Sequence, residues 1–392
     1  MRKRLAGSGW LFLCVMLLWW SMPCGSFAEE TDGGQTEEAL EDYTEELLKE
    51  LDFEEIDEFL KELDVGEMPA DFYTVVKTFI SGDIRGGLRL LAGMLTGNFF
   101  QEWKTGRTTL VHVLMIALIA ATLTGFSDIF QNRQISEVSY YMVYMLLLAI
   151  LMKAFGAASR ILSDNLGRTV EFMKLLMPVF FMALGFCTGS TTSLVFYEWV
   201  LFLISAVQWA LKTLLIPAVH IYVLLMLVNQ MVKEDFLSKM AELFKLAAEW
   251  GLKAMMGAVI GFNLVQGLIA PAVDGFKKNV LTKTAGMLPG VGNVFNSVSE
   301  LVLGSAILIR NGIGAAALLI LAALCLIPVA KLLLFAVSYK LAAAVIQPVS
   351  DKRIVECISS VGDGMVLLMK IMLASSVLFW LTLAVLCTVS SG

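Results

Sequence analysis

Between Pro271 and Gly312 the sequence reads PAVDGFKKNVLTKTAGMLPGVGNVFNSVSELVLGSAILIRNG. Strongly apolar blocks at 251–269 and 313–337 flank this segment, and each is long enough to cross a bilayer, which takes about 20 helical residues. The segment itself is too polar and too rich in Gly and Pro to be a simple span. Because such backbone is tolerated at membrane depth only inside protein or beside a wet cavity, we predict a re-entrant or broken-helix element at 271–312.

The composition is that of a membrane protein, with 58% hydrophobic and 16% charged residues, where soluble domains have about 25% charged residues. Residues 29–67 contain 18 Asp and Glu against Lys49 and Lys61, a net charge of −16 within a chain whose total is −6. The rest of the chain is therefore mildly basic. It has no basic patch on a soluble domain, so we expect no nucleic-acid partner.

Residues 1–28 have the pattern of a secretory signal peptide. Arg2, Lys3 and Arg4 precede a short apolar core at 11–20, and Ser26-Phe27-Ala28 offers small residues for cleavage. Retention of this segment as an uncleaved anchor is the alternative. Either way, we expect the residues that follow to be exported.

Residues 29–106 are predicted to be an exported acidic segment of amphipathic helices. Apolar residues recur there at helical spacing between carboxylates, and they form a candidate partner-docking stripe of Leu40, Leu47, Leu51, Ile56, Phe59 and Leu63. A segment this acidic does not suit an anionic membrane surface. The stripe therefore packs either on a partner protein or on this chain's own exported face.

The predicted fold is an all-α, polytopic membrane helix bundle over residues 107–392. Candidate spans lie near 108–126, 138–158, 170–187, 194–212, 214–232, 251–270, 313–337 and 365–389. The stretch 194–232 is either two spans or one long helix, so the count is seven or eight. Residues 233–250 are predicted to form an amphipathic helix on the cytoplasmic surface.

Orientation follows from export of residues 29–106. With eight spans, the Lys residues of 233–253 and the Lys331–Arg353 cluster lie on the cytoplasmic side, as the positive-inside rule requires. The same count places Lys277, Lys278 and Lys283 outside, against the rule. The C-terminus is outside with eight spans and inside with seven.

Two Gly- and Pro-containing stretches, 164–190 and 274–297, resemble each other. Paired interruptions of this kind indicate a transporter-like repeat, although chance similarity explains them equally simply. They supply the candidate broken-helix residues Pro178, Asp274, Gly275, Pro289, Gly290 and Gly292.

Catalytic, metal-binding and cofactor-binding motifs are missing from the sequence. We therefore expect no enzyme activity, no metal and no cofactor. The intramembrane polar residues are the better lead, because ionisable groups in membranes face bundle interiors or water. They define a candidate polar path of Glu171, Lys174, His220, Asn263 and Gln266. Ordinary interhelical hydrogen bonding is the alternative role for each of them.

Several short motifs carry a family resemblance: Gly261-Phe262-Asn263-Leu264-Val265-Gln266, Asp274-Gly275, Leu288-Pro289-Gly290-Val291-Gly292, Ser297, Ser305 and Arg310-Asn311-Gly312. With the leader, the acidic exported segment and the spans, they resemble the stage III sporulation protein AE family of endospore-forming Firmicutes. The resemblance implies a multi-pass protein of the outer forespore membrane, which is derived from the mother cell. It also implies membership in a transenvelope channel that resembles secretion systems.

The partners implied by the resemblance are the other stage III sporulation operon A membrane and ring proteins and a secretion-type ATPase. Membrane lipid surrounds the chain, and a homo-oligomer is left open. Within such a channel this subunit is expected to act as an export-gate or permease-like core. The alternatives are an independent secondary transporter with its substrate site at the Gly/Pro-broken helices, and a structural membrane platform.

Overall fold

The computed structural model describes residues 43–63, 71–83, 85–87, 89–90, 92–93, 133–188, 190–231, 235–285, 292–348 and 350–389, with six single positions between 111 and 122. Among these residues all regular secondary structure is helical and no strand is present. The all-helical fold class is therefore confirmed. The leader at 1–28 lies outside the described residues.

In chain order the helices are α1 (Glu54–Glu62), α2 (Phe72–Ile80), α3 (Arg133–Thr188), α4 (Ser190–Ala210), α5 (Ile216–Met231), α6 (Ser238–Ala285), α7 (Gly292–Ile346) and α8 (Lys352–Val389). A π-helix at Leu211–Leu215 joins α4 to α5. We refer to residues 43–80, which include α1 and α2, as the cap.

Among the described residues, four helical segments are long and apolar enough to cross a membrane: Tyr141–Gly185, Glu198–Met231, Gly304–Ile346 and Lys352–Cys387. At about 1.5 Å per residue the first is about 67 Å long, more than twice the hydrocarbon thickness of about 30 Å. The helices therefore tilt strongly or extend beyond the bilayer. The count of seven or eight spans includes segments outside the described residues and stays a prediction.

The long helices alternate in direction. Tyr144 on α3 donates its hydroxyl to the Leu227 carbonyl near the end of α5, and Asn165 further along α3 contacts Met372 on α8. Lys340 near the end of α7 pairs with Asp363 near the start of α8. Hence α3, α6 and α8 run one way, while α4–α5 and α7 run the other.

Helix α8 is central in this bundle and packs against α3, α5, α6 and α7. The cap packs beside Phe172 of α3 and Gly312 of α7, near the level where α8 ends, because α1 contacts α3 and α2 contacts α7. The turns α5–α6 and α7–α8 lie at the opposite end, which we call the basal end.

Helix α3 is continuous where two spans, 138–158 and 170–187, are predicted. Its charged residues between these limits share one face, so the opposite face stays apolar and buried, with Leu162, Leu166 and Val170 in the core. A helix with charges on one face remains stable when its opposite face is apolar and packs on the core. Likewise, the amphipathic stretch predicted at 233–250 is the first part of α6 from Ser238 onward, rather than a separate surface helix.

Most of the central segment at 271–312 is helical. Residues 271–285 complete α6, and α7 begins at Gly292. Residues 286–291 lie outside the described residues, so the re-entrant element at 271–312 stays a prediction.

Candidate functional site

The apolar stripe of the cap packs on this chain's own bundle. The ring of Phe59 on α1 stacks on that of Phe172 on α3, with centroids 6.1 Å apart and an interplanar angle of 24°. Leu51, Ile56, Phe59 and Leu63 are buried, and Leu47 is partly buried against the same core. Of the two alternatives for the stripe, the structure therefore shows packing within the chain. Leu40 lies outside the described residues.

Helix α2 approaches α7 at Gly312. A Cβ atom at this position would lie 2.6 Å from Cγ1 of Ile80 and 3.4 Å from Cγ1 of Val76, so a larger residue would push the two helices apart. The neighbouring Arg310 is only 1% exposed, and its Nε and Nη2 donate to Oδ1 of Asn311 at 3.3 and 3.0 Å. The motif Arg310-Asn311-Gly312 thus lies where α2 of the cap packs on α7.

Burial of the stripe leaves the carboxylates of the cap facing outward. The exposed acidic side chains of the cap are Glu46, Glu50, Asp52, Glu54, Glu55, Glu58, Glu62 and Asp71. Lys49, Lys61 and Lys77 are the exposed cations among the cap's described residues. The cap therefore presents a strongly negative outer surface.

An open cleft of about 570 Å³ interrupts this acidic surface. Phe53 and Tyr73 line it together with Glu54, Asp57, Glu58 and Lys61. Burial raises the pKa of the Asp57 carboxyl, and the nearby Asp71 adds to this effect; the amide of Phe72, which donates to Asp57, and Lys61 oppose it. Aromatic faces beside carboxylates suit a cationic side chain.

The structure does not bring the candidate polar path together. Glu171 and Lys174 are exposed on α3. His220 on α5 is half-buried, bonds through Nδ1 to the Ile216 carbonyl at 2.9 Å, and meets the Phe155 ring edge-on with centroids 5.1 Å apart. These contacts give His220 a packing role.

Asn263 lies elsewhere, between α6 and α8. Its Nδ2 donates to Oγ1 of Thr382 at 3.4 Å, and its buried Oδ1 accepts no hydrogen bond among the described residues. This contact is interhelical hydrogen bonding, the alternative role considered for these residues. The side chain of Gln266 lies outside the described residues.

The candidate broken-helix residues that the structure describes lie on α3, α6 and α7. Pro178 is exposed inside α3, which continues through it to Thr188. Asp274 and Gly275 lie on the helical backbone of α6, and Gly292 begins α7. Pro289 and Gly290 lie outside the described residues, so a shared site at these positions stays a prediction.

Sequence reasoning missed the π-helix at Leu211–Leu215. Pro217 has no amide hydrogen, and its ring would clash with the Thr213 carbonyl in a regular α-helix; the wider π-helix directly before it relieves that clash. This geometry directs Lys212 toward α3, where a Cβ at Gly167 would lie 3.5 Å from the Lys212 Nζ. The sequence signal was Pro217 itself, because a proline within a long apolar stretch cannot continue a regular α-helix without a local adjustment.

Ion pairs join α7 to α8 and α8 to α6 nearer the basal end. Lys340 on α7 contacts Asp363 at 2.7 Å and Ser359 at 3.1 Å, both on α8, and Lys370 on α8 contacts Glu249 on α6 at 3.1 Å. In the part of the chain that the structure describes, no three His, Cys, Asp or Glu residues cluster as a metal site. The polar groups located here hold helices together.

A family model and a known protein that match this chain carry the same name. The family model for stage III sporulation protein AE matches residues 70–390. Stage III sporulation protein AE of Bacillus subtilis (strain 168) is similar to this chain, with 24% identity over 366 residues, which cover 92% of this chain and 91% of that protein. No solved structure matches.

Proposed function

Because this chain belongs to the stage III sporulation protein AE family, we propose that it is a non-enzymatic membrane component of the mother cell-to-forespore transenvelope channel. This secretion-like apparatus acts during endospore formation, and we assign the chain to the outer forespore membrane. The observation that carries the proposal is the surface of the cap. Its apolar stripe is buried against the bundle, and its carboxylates face outward. A surface of that kind suits docking in an aqueous space.

The charge distribution supports an orientation with the cap between the two membranes. Lys239, Lys352 and Arg353 lie at or beside the basal turns, opposite the cap. Short loops rich in Lys and Arg stay in the cytoplasm. The basal end would therefore face the mother-cell cytoplasm, where a secretion-type ATPase could reach it.

The cap would dock ring proteins of the same apparatus through their basic surfaces. Complementary charge sets association rate and specificity more than raw affinity, so docking should weaken as salt rises. The bundle below the cap would then serve as the export-gate or permease-like core.

A paired set of charge-neutralising variants tests this role. Glu54→Gln/Glu58→Gln removes two exposed carboxylates from the cap and leaves the stripe intact. Glu242→Gln/Glu356→Gln removes two carboxylates at the basal end and is the matched control. Recovery of the ring proteins of the apparatus with the tagged chain from sporulating cells is the measurement, with limited proteolysis confirming that the cap remains folded.

We expect the cap variant to lose partner recovery and spore formation, and the basal variant to keep both. Equal recovery with both variants would contradict docking through the cap. The alternatives predict other results. An independent transporter would keep solute uptake in proteoliposomes whatever happens to partner recovery, and a purely structural platform would lose recovery with no solute permeability to change.

A further inference from the structure

One face of α3 is charged over the length of a membrane span. Lys153, Arg160, Asp164, Arg168 and Glu171 are all exposed and, at about 100° per residue, fall within about 40° of one line along the helix. Lys174 adjoins this line, and the stretch from Lys153 to Lys174 is about 32 Å long. Within the described part of the chain these six side chains form no ion pair with one another. We call them the α3 charged face.

Neighbouring helices expose apolar side chains at the same level. Gly167 on α3 lies beside Lys212, and Leu214, two residues further on, is 53% exposed. Phe155 on α3 contacts His220, and the adjacent Ile221 is exposed. Lipid suits these apolar residues, whereas charges in the hydrocarbon layer require water or a polar partner.

The apolar segment that precedes α3 in the chain cannot supply a charged partner for the α3 charged face. From Thr108 to Phe126 the sequence contains no Asp, Glu, Lys or Arg. Further along α3, Pro178 has no amide hydrogen to donate to the Lys174 carbonyl, which adds polarity at the cap end of the same face. The α3 charged face therefore needs a cover that is itself charged or wet.

The order of charges identifies the cover. From Arg160 to Lys174 the sign alternates at each helical turn: Arg160, Asp164, Arg168, Glu171, Lys174. A partner of a single sign cannot match this pattern. On copies related by rotation about a common axis, these residues form rings of alternating sign one helical turn apart, so each ring of cations lies next to a ring of carboxylates contributed by all copies.

We propose that copies of this chain associate in the membrane with their α3 charged faces turned toward a shared water-filled lumen. This inference rests on the proposed function as a channel component and names the surface that lines the passage. Rings of charged side chains are a usual lining of ion-conducting pores. The lumen would descend from the level of the cap, where Phe59 contacts Phe172, toward the basal end.

Paired cysteine variants of the full chain in proteoliposomes test the proposal. Arg160→Cys and Arg168→Cys lie on the α3 charged face, and Ile221→Cys and Leu214→Cys are their controls at matching levels. A charged, membrane-impermeant maleimide is added to both sides, and labelling is compared with the parent chain, which keeps its own cysteines. Oxidation of the same samples then reports disulfides between copies.

We expect Arg160→Cys and Arg168→Cys to be labelled several-fold more than their controls and to form cross-linked dimers that the controls do not form. Three results overturn the proposal. If Arg160→Cys is unlabelled, the face is dry; if Ile221→Cys is labelled equally, that level lies in water and no lumen is required. If labelling occurs without cross-linking, something other than a second copy covers the face. None of these outcomes depends on docking at the cap, so failure here leaves the proposed docking role to its own test.

Discussion

Gly312 on α7 lies so close to Ile80 on α2 that a Cβ at position 312 would be only 2.6 Å from Cγ1 of Ile80. The side chains of Ile80 and Val76 on α2 pack directly on the backbone of α7 at this position, with no side chain on the α7 side. The distance is well below normal van der Waals contact, so the fit depends on glycine at this position. The attachment of the cap can therefore be tested at a single site.

Gly312→Ala should loosen the cap. Overpacking of a close contact costs about 1–3 kcal/mol, and it outweighs the gain of up to about 1 kcal/mol from replacing a helical Gly by Ala. Limited proteolysis between α2 and α3 in detergent should show faster cleavage. Gly257→Ala is the control, because nothing lies within 4 Å of a Cβ there; equal cleavage of both variants would contradict the close packing.

Phe59→Ala should release α1 from α3. The substitution removes a buried ring that stacks on Phe172, and truncation of a buried Phe costs about 3–5 kcal/mol. Hydrogen exchange of residues 54–62 should rise sharply. Glu58→Ala, on the exposed side of the same helix, should leave this exchange nearly unchanged, and a similar rise with both variants would show that the ring contact does not hold the helix.

Acidification should stabilise the cap through Asp57. Burial raises the pKa of its carboxyl above the ordinary value of 3.8, so at neutral pH the charged form is disfavoured in the folded cap relative to the unfolded chain. As the pH falls through the raised pKa, the folded cap takes up the proton first, and the gain is complete below 3.8.

Asp57→Asn should raise the melting temperature of the cap at pH 7 and flatten its dependence on pH, because the amide oxygen can still accept from Phe72. Glu58→Gln removes the same charge from an exposed position and is the control. A lower melting temperature for Asp57→Asn at pH 7 would show that the Asp57 charge stabilises the cap.

Exchange of the charges of Lys370 and Glu249 should test the register of α6 against α8. Lys370→Glu brings two carboxylates together where a 3.1 Å ion pair stood, and Lys370→Glu/Glu249→Lys restores the pair. Because both side chains are partly exposed, a double-mutant cycle should give a coupling of about 1 kcal/mol or less. Absence of rescue by the double exchange, with normal insertion, would argue against this alignment.

The helical character of the cap could be read from the sequence, because Leu47, Leu51, Ile56 and Phe59 recur at helical spacing. What covers these residues could not be read in the same way. Phe172 lies more than 100 residues further along the chain, and periodicity within a helix does not identify its partner. The stripe therefore left docking and self-packing equally open until the contacts were seen.

The continuity of α3 could not be predicted from the hydropathy of the sequence. Asp164, Gly167 and Arg168 read as a break between two spans, because charge and Gly lower both hydropathy and helix propensity. In three dimensions the charges occupy one stripe, and Leu162, Leu166 and Val170 keep the other stripe buried. Average hydropathy over a window cannot separate a loop from a helix whose two faces differ this strongly.

The contact between α2 and α7 also has a consequence for biogenesis. About 230 residues of chain separate Ile80 from Gly312, and contacts between such distant positions form late. While the ribosome is still making α4 to α6, α2 has no partner on α7, and the apolar residues of α2 are exposed to chaperones and proteases. A chain truncated before α7 should therefore be recognised through α2 and degraded, so that only full-length copies persist.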